Sequence, residues 1–175
     1  MTTDARIRYT KKVIQESFFA LLHQYPVEQI TVTSICRGAG INRATFYRYY
    51  ENPYDLLSSL ENEMLEDIKQ SAYEYGGDVD KLTEVIFCKF LENRETWSLL
   101  LSDHADLSLI FKIFHFFDNY FQKGNMTKEH DLRYHFLLYG YSGIFDYWVK
   151  TGMAESPKEM ADYLKKFRHD LIPNK

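Results

Sequence analysis

The sequence predicts an all-α fold of about eight or nine helices. Apolar residues recur at spacings of three and four along almost the whole chain, and the breaks in that rhythm fall on proline, glycine and capping residues. No alternating strand pattern, hairpin turn, internal repeat or low-complexity tract interrupts it. The 175 residues include 45% hydrophobic and 17% aromatic side chains, ample material for a core, and this excludes an intrinsically disordered chain.

Element by element, Ile14, Phe18, Leu21 and Tyr25 form one stripe of a first amphipathic helix from about Arg6. Tyr25-Pro26 ends it, because the residue before proline is pushed out of helical geometry. Thr31 or Thr33 caps a short second helix carrying Ile35 and Ala39, and Gly40 supplies the turn after it. Asn42 caps a third helix, Arg43 to about Tyr50. Asn52-Pro53 starts a fourth, whose stripe Leu56, Leu60, Met64 and Ile68 runs on to about Tyr75 before Gly76-Gly77-Asp78 breaks it.

Further on, Leu82, Val85, Ile86 and Phe90 share a face, Trp97, Leu100 and Leu101 belong to a shorter segment, and Ile110, Phe114, Phe117 and Phe121 repeat the helical spacing. From about Thr127 to Thr151 a long helix is apolar on two sides, Leu132, Phe136, Tyr139 and Gly143 on one and Leu137, Tyr141, Phe145 and Trp148 on the other. Ser156-Pro157-Lys158-Glu159 is a capping box that opens the last stripe, Met160, Leu164, Phe167 and Leu171. The natural division is residues 1–52 as one domain and 53–175 as a second.

The net charge of −4 conceals an asymmetry. Residues 1–52 carry seven basic against four acidic side chains, leaving fourteen against twenty-one for the rest. A basic first part suits a polyanion. Cys36 and Cys88 lack metal or redox spacing and read as reduced thiols of a cytoplasmic protein. No segment has the apolar length of a membrane span, so no membrane partner is expected. His130 and His135, five apart, make a poor metal pair, and neighbouring Ser102, Asp103 and His104 point in different directions along a helix, so neither a metal, a cofactor nor a catalytic site is predicted.

The chemistry concentrates between Ile30 and Leu57, where a short helix, a glycine turn and another short helix make a helix-turn-helix. Stepping 100° per residue with Phe46 inward places Tyr50 beside it and turns Ala44, Thr45, Tyr47 and Arg48 outward. That outward face suits double-stranded DNA: an arginine reads guanine, hydroxyls bind base or phosphate, and Ala44 meets a thymine methyl. Arg43 and Tyr49 flank the face, and Thr31 and Thr33 open the preceding helix as backbone anchors.

These residues resemble the DNA-binding domain of TetR-family transcriptional regulators. The matching elements are Thr31-Val32, Ala39-Gly40-Ile41, Thr45-Phe46-Tyr47 and the helix start Asn52-Pro53-Tyr54-Asp55-Leu56-Leu57. The resemblance implies DNA contacts by Thr45 and Tyr47, the latter to phosphate, with Asn42 at the helix start, and core roles for Phe46 and Tyr50. The lysine that often opens the fourth helix of the family is here Pro53, so that anchor is lost or moves to Asn52 or Tyr54, and Tyr49 stands where histidine is frequent. Arg6, Arg8, Lys11 and Lys12 match a phosphate-contacting arm more loosely.

The second half resembles a C-terminal effector and dimerisation domain of the same family through Leu91-Glu92-Asn93-Arg94, Gly143 to Trp148, Gly152-Met153 and the final capping box. The implied function is a ligand-responsive repressor that binds a palindromic operator as a homodimer. Leu137, Tyr141, Phe145, Trp148, Met160, Leu164 and Phe167 are the expected subunit interface, and Gly140 and Gly143 permit close helix approach. Arg94, Trp97, Phe111, Phe114, His115, Tyr134 and Tyr139 are the expected lining of a pocket for a small-molecule effector, while any single aromatic of such a stripe is more often plain core. Control by a protein partner, and a helical enzyme or interaction module without DNA binding, remain the alternatives.

Overall fold

The computed structural model describes residues 3–102, 108–121 and 127–171. Among these there is no strand. The elements are α1 (Thr3–Leu22), a 3-10 turn (Val27–Gln29), α2 (Val32–Ala39), α3 (Arg43–Phe46), α4 (Pro53–Tyr75), α5 (Val79–Glu92), α6 (Arg94–Leu100), α7 (Ser108–Phe121), α8 (Lys128–Lys150) and α9 (Pro157–Leu171). Hydrogen-bonded caps stand at the starts near Thr127 and Ser156 anticipated from the sequence, and at Asp78, read there only as part of a break. Asp78 accepts from Lys81 N–H at 3.0 Å, Thr127 from His130 N–H at 3.3 Å, and Ser156 and Glu159 exchange side-chain to backbone bonds before α9.

The described residues pack as two units, those of Met1–Glu63 with Leu99–Leu107 and those of Met64–Ser98 with Ser108–Lys175. The sequence division at 52/53 falls at the start of α4, whereas packing assigns Pro53–Glu63 to the first unit and only Met64–Tyr75 to the second. Leu56, Leu57 and Leu60 explain this, since all three are buried on the first turns of the helix.

In the first unit α1 packs on α2 and α2 on α3. Ile14, Phe18, Leu22, Ile35 and Phe46 lose all contact with solvent. The contact between α1 and α2 depends on Gly38, where a Cβ would stand 2.3 Å from Ser17 Oγ. That hydroxyl is buried and donates to Ile35 O at 2.9 Å, so it is not free to swing away. Gly40, at φ 64°, ends α2 in the left-handed conformation, and its N–H and that of Ile41 both donate to Cys36 O.

In the second unit α5 packs against α9, α7 against α8, and α8 against α9. The interior is an aromatic cluster. Phe90 stacks on Trp97 at 3.8 Å between ring centroids, Phe87 stacks on Phe145 at 4.0 Å, and Trp148 meets Phe87 edge-on. Hydroxyls tie the helices to one another's carbonyls: Tyr134 donates to Phe117 O and Tyr120 to Ala72 O, both at 2.7 Å. At the start of α5, Asp80 accepts from Arg168 and pairs with Lys165 at 3.0 Å, pinning α9.

Burial alone raises the Asp80 carboxyl, but the hydrogen bonds from Arg168 and Lys165 outweigh it and hold the group below its ordinary value of 3.8. A depressed carboxylate contributes stability above its unfolded value and loses it as pH falls through the folded one. Asp80→Asn is therefore expected to lower stability by about 1 kcal/mol at pH 7, with the gap to wild type closing below about pH 4 in denaturant titrations. For Gly38→Ala the expected loss is about 1–3 kcal/mol. Adding Ser17→Ala is expected to cost less than the two single losses together, because the clashing hydroxyl is then gone.

Candidate nucleic-acid interface

Three successive helix starts of the first unit are capped by residues that the sequence singles out for DNA. Thr31 and Ser34 form a reciprocal box at α2, with Ser34 N–H donating to Thr31 Oγ1 and Thr31 N–H to Ser34 Oγ, each at 3.1 Å. Asn42 Oδ1 accepts from Thr45 N–H at 2.8 Å at α3. Asn52 Oδ1 accepts from Asp55 N–H at 2.9 Å at α4, and the Asp55 carboxylate accepts from Glu51 N–H at the same distance. All three caps are exposed, so each serves the local fold while remaining at the surface.

The third helix is shorter than the sequence suggests. Regular α geometry covers Arg43–Phe46, after which the chain continues as a turn through Tyr49. Tyr47 and Tyr50 still donate to the carbonyls four residues back, while Arg48 and Tyr49 donate three back, a tightening that ends the helix early. The outward direction of the side chains survives it. Phe46 is fully buried and Tyr50 is 3% exposed, whereas Ala44, Arg43, Arg48 and Tyr47 face solvent. Thr45 is half-buried, and its hydroxyl donates to Asn42 Oδ1 at 3.0 Å. Tyr49 is half-buried with its ring 6.4 Å from that of Tyr50, and Thr33 is exposed on the first turn of α2.

Arg43 Nη2 donates to the Tyr47 hydroxyl at 3.1 Å, a contact that spacing alone does not announce. Arg48 is exposed with no such bond among the described residues. Burial pushes the Cys36 thiol up despite nearby Arg43, so it stays a protonated core group. Of the looser arm, Arg6, Arg8 and Lys12 are exposed, with Arg8 near Asp4 and Lys12 near Glu16 at 3.9 and 3.7 Å.

The residues expected to line an effector pocket separate in the second unit. Trp97 is 1% exposed inside the aromatic cluster, with its indole N–H lacking an acceptor among the described residues. Arg94 is exposed and donates to Gly152 O at 3.3 Å, joining two of the motifs read from the sequence. His115 is exposed, Tyr134 is half-buried, and Tyr139 is exposed. The side chains of Phe111 and Phe114 lie outside the described residues, as does His104.

The expected subunit interface needs a correction. Trp148 and Leu164 are fully buried and Met160 nearly so, with Trp148 Nε1 donating to Glu155 O at 3.1 Å; they are interior to one chain and present no surface to a partner. Phe145 is half-buried against Phe87, and Leu137 and Tyr141 are half-buried as well. Of the two apolar sides of α8, the Leu137 to Trp148 side is thus buried at Trp148 and half-buried along the rest. The other side, Leu132, Phe136, Tyr139, Gly143 and Tyr147, faces outward, and Tyr163 and Phe167 of α9 are exposed as well.

Four likenesses bear on this architecture. A family model described as the C-terminal region of transcriptional regulators matches residues 77–170. The dhaKLM operon transcriptional activator DhaS of Lactococcus lactis, a helix-turn-helix protein, is 38% identical over 68 residues, 38% of this chain and 36% of its own length. The uncharacterized helix-turn-helix regulator YxbF of Bacillus subtilis is 26% identical over 165 residues, 85% of this chain and 42% of its own length. The chain thus spans less than half the length of these curated relatives. The crystal structure of a TetR transcriptional regulator from Streptococcus agalactiae superimposes with a TM-score of 0.70 at 23% identity, covering 96% of this chain and 98% of that one, which shows the same fold.

A cap that is structural predicts a specific pattern of replacement. Asn42→Ala is expected to cost about 1 kcal/mol of stability and Asn42→Ser close to nothing, by denaturant unfolding of the two variants. With the helix-turn-helix geometry, the matched C-terminal region and the shared all-helical architecture in place, the chain belongs to the TetR family of transcriptional regulators.

Proposed function

We propose that this regulator binds a palindromic DNA operator as a homodimer and that an effector held by its C-terminal domain changes that binding. The observation that carries the reading is the outward face of α3 and the turn after it, where Ala44, Tyr47 and Arg48 stand exposed. A base-reading arginine and exposed hydroxyls supply the two kinds of contact a DNA reader needs, base edges for sequence and phosphates for register. We assign Thr31, Thr33, Asn42, Arg43, Ala44, Thr45, Tyr47, Arg48, Tyr49 and Asn52 to that interface.

Dimerisation is required by the size of the reading element, since one such helix binds weakly and two spaced by one helical turn, about 34 Å, read a palindrome. The outward side of α8 supports it. Phe136 and Tyr147 are about two-thirds exposed, and a Cβ at Gly140 or Gly143 would meet nothing within 4 Å. Two glycines that nothing in their own chain requires, set among exposed aromatics, suit the close approach of a second α8. The interface assigned here is Phe136, Gly143 and Tyr147 with Tyr163 and Phe167 of α9.

Effector control rests on Trp97. Its buried indole N–H has no acceptor among the described residues, which costs about 1–3 kcal/mol, and an oxygen of a bound small molecule removes that cost. An effector acts by favouring one of two dimer arrangements that differ in the separation of the α3 faces. We read the outcome as repression. The name of DhaS, an operon activator, favours activation as the second reading, and the position of the operator relative to the promoter separates the two.

Fluorescence anisotropy with duplexes from the upstream region of the gene and a scrambled competitor, across a salt series, tests the DNA half. Selective, salt-sensitive binding is expected, and Arg48→Ala is expected to weaken it about tenfold or more; equal binding of the scrambled duplex would contradict the reading. Sedimentation velocity tests the interface. Phe136→Glu with Tyr147→Glu is expected to give monomers of unchanged helicity, whereas Trp148→Ala is expected to lower the unfolding midpoint because it opens a core cavity.

A further inference from the structure

Arg43 and Tyr47 are one turn apart, and both are exposed. Arg43 Nη2 donates to the Tyr47 hydroxyl at 3.1 Å, and the guanidinium carbon lies 5.8 Å from the ring centroid. A tyrosine hydroxyl has one hydrogen and two lone pairs. Accepting from Arg43 through a lone pair leaves that hydrogen directed elsewhere, and the guanidinium keeps donors beyond the one it has used. The two donors can take two oxygens of one phosphate, and the full positive charge of one of them favours that anion over a neutral base edge.

The neighbouring side chains sharpen the contrast. The Thr45 hydroxyl is engaged with Asn42 Oδ1. Arg48 is exposed and makes no such bond among the described residues, so its fork is available for guanine. We propose that Arg43 and Tyr47 act as a single composite clamp on one backbone phosphate of each half-site, with Arg43 orienting the Tyr47 hydroxyl and base reading left to Arg48. The proposal rests on the operator-binding reading above and narrows it, since Arg43 then contributes affinity and register without sequence preference.

The test uses the full-length protein and a fluorescein-labelled duplex carrying the sequence it enriches from a random pool. Each phosphate of one half-site is replaced in turn by neutral methylphosphonate, and wild type, Arg43→Ala, Tyr47→Phe and the double variant are titrated at several salt concentrations. Wild type is expected to lose affinity at one phosphate whose replacement no longer matters in either single variant. The double variant is expected to lose little more than the worse single one, and Arg43→Ala to lower the salt slope by about 1.8, about 0.9 for each half-site, without altering base preference. Sensitivity lost at two different phosphates, losses that multiply, or a changed base preference in Arg43→Ala would overturn the clamp while leaving operator binding intact. Failure of the wild-type protein to enrich any sequence would overturn both.

Discussion

A helix of four residues has no stability of its own, so the conformation of α3 is imposed from outside it. Phe46 imposes it. Its ring is fully buried, Tyr50 lies beside it at 5.8 Å between centroids, and the Asn42 cap anchors the first turn. Once that side is fixed inward, Ala44 is turned outward by helical geometry, and Tyr47 and Arg48 by the hydrogen-bonded turn that continues from it. The close seating of α1 on α2 at Gly38 and the left-handed turn at Gly40 serve the same end, because α3 packs on α2 and inherits its placement.

Much of this first unit was legible in the sequence, because its signals are local. Asn42 and Asn52-Pro53 mark helix starts by chemistry that acts within three residues, and Gly40 marks a turn that other residues resist. The sequence left open whether Thr31 or Thr33 caps α2; the bond from Ser34 N–H shows that it is Thr31. The early end of α3 and the Arg43 to Tyr47 bond were not legible, since periodicity says which side a residue occupies and not whether the helix persists. Gly38 was missed for a related reason: its role is set by Ser17, twenty-one positions earlier, and no local pattern reveals such a contact.

The second unit shows the limit more sharply. Helical spacing identified two apolar sides of α8 and could not say which neighbour each would meet. α5 and α9 pack in the same unit, and Phe87 takes up Phe145 and Trp148. The side with Phe136 and Tyr147 is left outward, whereas Trp148, Met160 and Leu164 of the expected interface are buried and Phe167 is exposed. The helix pair is further held by Asp80, whose partners Lys165 and Arg168 lie far along the chain. Trp97, Arg94 and Tyr134 each acquire a distinct setting, one in the aromatic core and two on backbone carbonyls.

Burial of Phe46, and not contact with a duplex, holds Ala44, Tyr47 and Arg48 outward in the free protein. Native-state hydrogen exchange on the DNA-free protein measures this directly. The amides of Phe46, Tyr47 and Tyr50, bonded to the carbonyls of Asn42, Arg43 and Phe46, are expected to exchange as slowly as the buried amides of α2. Exchange of these three at the rate of an unstructured chain, with protection gained only on adding DNA, would contradict the account.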